Sequence, residues 1–237
     1  MFTVALIGAD GAGKTTIARR LEAEGSLPIK YLYMGVSPGA SNVALPTTRL
    51  FAGIRRAQGK STDMAGPPNP TRVRPPAKRG VKWLLEGVKS TLRLANRMAE
   101  EIYRQVIVWS HQYRGQIVLF DRHFFSDYYA HDVANEDPNR PFTSRIHGFF
   151  LKYIYPRPNL IIFLDAPASV LFARKGEGTI ELLEMRRQEY LQLHGQVRHF
   201  AVVDATQSED EVAREVAGLL WDFYRTRKSQ LSEVGDG

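Results

Sequence analysis

Cysteine is absent from the chain. That excludes a disulfide scaffold, a thiolate metal site and a cysteine nucleophile. It fits a reducing compartment, and a cytoplasmic location is expected. Long apolar runs are missing too. No segment approaches the roughly 18 apolar residues that a membrane helix needs, so no membrane span is expected. The opening run MFTVALIG has no basic flank and stops too early for a signal peptide. Acids are scarce in one stretch. Between Tyr31 and Lys82 there are nine bases and one acid (Asp63), a net of +8, whereas the remaining 23 bases and 24 acids net −1.

The composition is otherwise ordinary. Of 237 residues, 43% are hydrophobic and 24% charged, which suits one α/β domain over 1–237 with a buried core. A net charge of +7 favours anionic partners. The basic stretch is crowded with Pro and Gly, as GPPNP at 66–70 and RPP at 74–76, and lacks a period. It reads as an irregular insertion over 35–80, either a solvated loop or a site for an anionic acceptor. No aromatic interleaving supports base stacking, so nucleic acid is not an expected partner.

Continuous apolar runs predict five buried strands: Phe2–Ile7, Ile29–Met34, Gln116–Phe120, Leu160–Leu164 and Phe200–Val203. Helices are expected at Thr15–Glu24, Val81–Tyr113, Phe124–Ala134, Ser144–Ile154, Pro167–Arg174 and Thr179–Leu193. A last helix carries Val212, Val216, Leu219, Leu220 and Phe223 on one face, and 226–237 reads as a frayed polar tail. Strands alternating with helices argue for a five-stranded parallel sheet with helices on both faces, the α/β class.

The first strand runs into GADGAGKTT. Gly8, four residues, Gly13, Lys14 and Thr15 match the phosphate-loop pattern in its strand–loop–helix setting. Gly8, Gly11, Ala12 and Gly13 let the backbone fold tightly and turn its N–H groups onto phosphates, helped by the helix dipole. Lys14 reaches the β- and γ-phosphates of ATP, Thr16 follows at the helix start, and Thr15 can ligate Mg²⁺. Asp10 admits two roles: a loop cap, or a contact to a hydroxyl or cation on a second ligand.

The third strand ends in Asp121 and Arg122, at the carboxyl edge where ligands bind in parallel sheets. Asp121 could hold Mg²⁺ through its water shell, and Arg122 could grip an anion with its planar fork. His123 reads as a packing or hydrogen-bonding residue or as an acceptor contact. Ser126 reads as a local hydrogen-bonder rather than a nucleophile.

These residues resemble the thymidylate kinases, among the nucleoside monophosphate kinase-like P-loop proteins. The likeness rests on GADGAGKTT with its acid at Asp10, on DRHFFS, and on Leu164-Asp165 with Pro167 and Arg174 after it. It extends to RRQEYLQL at 186–193, to VDATQSEDEV at 203–212 and to ANR at 95–97, and covers roughly 1–34 and 85–225. The resemblance implies transfer of the ATP γ-phosphoryl to a small phosphorylated acceptor, usually a nucleoside monophosphate. It implies Lys14, Asp121, Arg122 and Arg174 as catalytic, and Arg97, Arg122 and Asp10 on the acceptor. Ala205, Thr206 and Gln207 would cradle adenine. Arg174, Lys175, Arg186 and Arg187 would act as a lid over 174–187. A homodimer is left open.

The sequence departs from the family in two places. MGVSPGASN after Tyr33 has no Arg, and Arg93 stands where the family commonly has a Phe that stacks on thymine. Arg93 shares a helix face with Arg97 and would suit an acceptor with a further anionic group. Thymidine monophosphate is therefore expected to be a poor acceptor beside the true one. A same-fold kinase acting on a phosphosugar or cell-envelope precursor, or an ATP-dependent switch, is the alternative.

Overall fold

The structure is a computed structural model that describes residues 1–35, 41–59 and 81–235. Five strands form one parallel sheet: β1 Thr3–Ile7, β2 Ile29–Tyr33, β3 Ile117–Asp121, β4 Leu160–Asp165 and β5 Phe200–Asp204, in the order β2-β3-β1-β4-β5. Eight α-helices accompany them among the described residues: α1 Lys14–Glu24, α2 Pro46–Ala57, α3 Val81–Tyr113, α4 Phe124–Tyr128, α5 Phe142–Tyr153, α6 Ala168–Lys175, α7 Ile180–Leu191 and α8 Glu209–Gly235. The α/β class and all five strands agree with the sequence reading.

The chain packs as two compact units. The first comprises Met1–Tyr31, Gly115–Asp121 and Pro158–Gly237. The second comprises Leu32–Arg114 and Arg122–Arg157. In the first unit β1 is central, with Leu6 opposite Asp121 of β3 and Ile7 opposite Phe163 of β4. Val4, Ala5, Leu6 and Ile7 are fully buried, which is why this run is apolar without alternation. Ile17, Ala18 and Leu21 of α1 are buried, as are Val212, Ala213, Val216 and Leu220 of α8. β5 closes the sheet, and its Val202 is exposed, as an edge strand allows.

In the second unit α3 runs for 33 residues. Its Leu94 and Val108 are buried. Leu85, Val88, Leu92, Ala95, Ala99, Ile102, Val106, Trp109 and Tyr113 are all exposed and recur at alternating spacings of three and four. That is a heptad seam along one helix face.

Three expectations need correction. Residues 46–57 of the supposedly irregular stretch form α2, started by Pro46 at its first turn; without Gly or Pro beyond that turn except Gly53, the segment can close its ladder. The remainder of the basic stretch, 36–40 and 60–80, lies outside the described residues. The expected helix over 124–134 is instead α4 followed by a π-helical turn, Tyr129–Val133. The tail does not fray at 226: α8 continues to Gly235, because 226–234 contains no Gly or Pro to stop it.

Candidate active site

The phosphate loop occupies the carboxyl end of β1, and Gly13 leads into α1 in the left-handed region at φ 85°. Two of its glycines are required by close approach. A Cβ on Gly8 would stand 2.7 Å from Leu164 O, and one on Gly11 would stand 2.8 Å from Leu171 O, each at positive φ. Lys14 is buried and donates from Nζ to Gly8 O at 2.8 Å and Ala9 O at 2.9 Å. The loop carbonyls thus fix the ammonium inside the loop, beside the N-terminal end of the α1 dipole.

Thr15 of α1 and Asp121 of β3 meet beside the loop. Thr15 Oγ1 donates to Asp121 Oδ2, and the Tyr31 hydroxyl donates to the same oxygen at 3.3 Å. Burial pushes the Tyr31 phenol up to about 12, with the Asp121 charge adding to it, so Tyr31 remains a donor. Asp121 Oδ1 is buried with no hydrogen-bond partner among the described residues. A buried carboxylate oxygen left unpaired beside a Thr hydroxyl fits a hydrated Mg²⁺. No group of three His, Asp or Glu side chains arranged to hold a metal ion by themselves occurs among the described residues.

The remaining positions of the first unit form a frame at the ends of β4 and β5. Arg187 forks onto Asp165, Nε to Oδ1 at 2.5 Å and Nη2 to Oδ2 at 2.9 Å, and also reaches Glu184 at 3.1 Å. The Asp165 bonds, opposed by burial, raise its already high pKa. Arg174 donates to Ala205 O at 2.7 Å. Ala205 N in turn donates to Asp165 O at 2.7 Å. Thr206 N and Oγ1 both donate to Asp204 Oδ1, at 2.8 and 2.6 Å. Ser208 and Glu211 form a reciprocal cap at the start of α8. Lys175 pairs with Glu177, and Arg186 with Glu189, each at 2.8 Å. Of the four lid candidates, Arg174 and Arg187 therefore brace the segment 204–207 and the end of β4. Asp10 and Gln207 stand at the loop and segment where the sequence reading put them, and Thr16 is exposed.

In the second unit Arg122 adopts φ 68°, the single non-glycine residue at positive φ among the described residues. An L-residue pays for that conformation, and such strain collects at working sites. His123 is buried against Tyr155, ring centroids 5.5 Å apart, and burial lowers its pKa to about 3, so it is neutral at physiological pH. Ser126, expected to hydrogen-bond locally, is buried with its Oγ unpaired among the described residues. Arg97 stacks over Tyr128, 4.8 Å from the ring centroid, and its Nη1 lies 4.0 Å from Asp132 Oδ2. Arg93, one turn earlier, is exposed.

Sequence reasoning missed several buried ionic groups here. Arg104 and Glu100 are both fully buried and pair at 2.8 Å. Arg104 also donates to Gly35 O at 2.9 Å and lies over the Phe124 ring. Glu100 accepts from Thr48 Oγ1 at 2.7 Å and from Leu45 N. The i,i+4 spacing of Glu100 and Arg104 on a predicted helix was the available signal. No such signal ties Asp132 to His147 or Glu101, which also meet.

No family model matches the chain. It is 30% identical over 124 residues to the thymidylate kinase of Pseudoalteromonas translucida (strain TAC 125), a match covering 48% of this chain and little more than half, 58%, of that protein. It is 26% identical over 239 aligned positions to the thymidylate kinase of Xylella fastidiosa (strain M12), covering 98% of this chain and 92% of that protein. No helix among the described residues is long and apolar enough to cross a membrane. The likeness to the Xylella protein runs the length of the chain, which is thymidylate kinase-like in sequence and has the five-stranded parallel sheet of the α/β class.

Proposed function

We propose that the protein transfers the γ-phosphoryl of ATP to a nucleoside monophosphate, with thymidine monophosphate the first acceptor to test. The observation that carries this reading is the phosphate loop with Thr15 bonded to a half-satisfied Asp121. Phosphoryl transfer asks for positioning and charge neutralisation rather than a protein nucleophile. In this reading the loop amides and Lys14 hold the donor phosphates, and Ala205, Thr206 and Gln207 hold the adenine. Thr15 and Asp121 would hold Mg²⁺, which when bound neutralises charge on the phosphate oxygens. Arg122 and Arg97 hold the acceptor, with Asp10 on an acceptor hydroxyl. Arg174 and Arg187 keep the adenine segment in place, which leaves Lys175 and Arg186 for the closing role.

A second reading is supported by the +8 balance of 31–82 and by Arg93: a same-fold kinase on a phosphosugar or cell-envelope precursor. A coupled ADP-release screen across nucleoside monophosphates and phosphosugars separates the two. Turnover confined to phosphosugars would overturn the first. ADP release indifferent to every acceptor would favour an ATP-driven switch instead.

The homodimer also belongs to this proposal. The exposed heptad seam of α3 is self-complementary in kind and suits an isologous helix pair with a second copy. Sedimentation of wild type and Ile102→Glu tests it: a wild-type dimer made monomeric supports the seam, and a wild-type monomer refutes it.

A further inference from the structure

The second unit holds a chain of ionised groups that binding of ATP does not use. Asp132 sits on the π-helical turn, a local insertion that is frequent at functional sites. Its Oδ2 lies 2.6 Å from His147 Nδ1 of α5, and its Oδ1 lies 2.7 Å from His131 Nδ1. On the other side of the same ring, His147 Nε2 lies 2.9 Å from Glu101 Oε1 of α3. His147 and Glu101 are 0% exposed and Asp132 is 2% exposed.

Two carboxylates facing one imidazole leave a single satisfying arrangement. With both acids ionised, both ring nitrogens carry protons and donate, since a neutral ring would set a lone pair against a carboxylate. Burial by itself lowers the His147 pKa. The hydrogen bonds to Asp132 and Glu101, with their charges, outweigh that and raise it above 6.5. Burial likewise raises Asp132, and bonds from His131 and His147 outweigh it and hold the carboxyl well below the usual range.

Arg97 rests on this assembly from two sides. Its guanidinium lies 4.0 Å from Asp132 Oδ2 and 4.8 Å from the Tyr128 ring centroid. Tyr128 meets the His147 ring edge-on at 5.0 Å. Both of these contacts of Arg97 therefore lead to His147. The turn itself is pinned: Arg140 donates to Asp132 O at 3.0 Å, and a Cβ on Gly148 would collide with the same carbonyl, so α5 passes as close as a glycine allows.

We propose that His147, doubly protonated between Glu101 and Asp132, is the positioning residue that aims Arg97 at the acceptor. This rests on the reading of Arg97 as an acceptor-binding residue. Glu101 of α3 and Asp132 of the turn face the His147 ring directly and Tyr128 of α4 meets it edge-on, while His131 and Arg97 reach it through Asp132. Tyr155 adds a neutral hydroxyl near Glu101, its pKa raised by burial.

The test is a double-mutant cycle with thymidine monophosphate and ATP as the varied substrates. His147→Gln is expected to raise the KM for thymidine monophosphate roughly tenfold and to leave the KM for ATP within about twofold. In an Arg97→Ala background the same substitution is expected to change nothing further. Additive losses would overturn the proposal, because His147 would then act without Arg97. A second measurement needs only the wild type, in case His147→Gln does not fold. The ¹⁵N shifts of the His147 ring, followed between about pH 6 and 8, are expected to report two protonated nitrogens, and a neutral ring over that range overturns the proposal. If wild type does not turn over thymidine monophosphate, the acceptor reading fails and this proposal falls with it, whereas a neutral ring or additive losses in an active enzyme overturn this proposal alone.

Discussion

The phosphate loop and the polar cluster of the second unit manage charge by different means. At the loop the working groups are backbone amides and carbonyls, and a single ammonium, Lys14, is held by Gly8 O and Ala9 O. In the second unit they are side chains buried against each other: Glu100 on Arg104, and His147 between Glu101 and Asp132. Backbone dipoles need only a fixed loop, so eight consecutive residues suffice. Buried ions need every partner in place, because each carries a desolvation cost that only its partners offset. The loop is therefore sensitive to shape, and the cluster to the loss of a single charge.

The comparison is broken most severely by removing one ion from the cluster. Arg104→Met leaves Glu100 buried without its cation, and stability should fall by about 3–5 kcal/mol in chemical denaturation. The paired change Arg104→Met with Glu100→Leu should recover most of that loss. No recovery would show that Arg104 acts through packing alone.

At the loop the expected loss is in rate and not in stability. Lys14→Ala should cut kcat by roughly 10²–10³-fold, as for loss of one preorganised charge donor, with the melting temperature little changed. Arg122→Ala should cost about 1–3 kcal/mol in kcat/KM for the acceptor while ATP affinity holds. A collapse of ATP binding with intact acceptor kinetics would reverse that assignment.

The cluster also predicts a pH dependence that the loop does not. His147 has a raised pKa in the folded state, so its contribution to stability is complete below about pH 6.5 and is lost as pH rises through the raised value. Asp132 has a lowered one, so its contribution is present above about 3.8 and is lost as pH falls through the lowered value. Melting temperature against pH should show both limbs in wild type, and His147→Gln should lack the alkaline one. The smallest effect is expected at Arg93. Because that residue is exposed, Arg93→Phe should raise kcat/KM for thymidine monophosphate only a few-fold, below about 1 kcal/mol.

The difference between the two regions also decides what could be read from sequence. Gly8 to Thr16 are contiguous, and each residue type is dictated by the loop's chemistry, so the site stood out with its strand and helix. The five strands were equally legible, since β1, β3 and β4 are buried along their length and carry no polar alternation. Arg187 was legible as a lid candidate but not as the partner of Asp165, because 22 residues separate them. Asp132, His147 and Glu101 come from three elements whose juxtaposition is made by the π-helical turn, and no period announces such a turn. The α2 helix was hidden by its neighbours, a Pro- and Gly-rich stretch that sets the composition of the whole window.

One measurement bears most directly on the transfer of phosphoryl from the loop to a nucleotide. Thymidine monophosphate is incubated with ATP and Mg²⁺, and the products are resolved by ³¹P NMR for wild type and Lys14→Ala. Thymidine diphosphate and ADP forming together in wild type, and neither at a comparable rate in Lys14→Ala, is the predicted result. Thymidine diphosphate formed equally fast by Lys14→Ala, or ADP formed by wild type with thymidine monophosphate left intact, would contradict it.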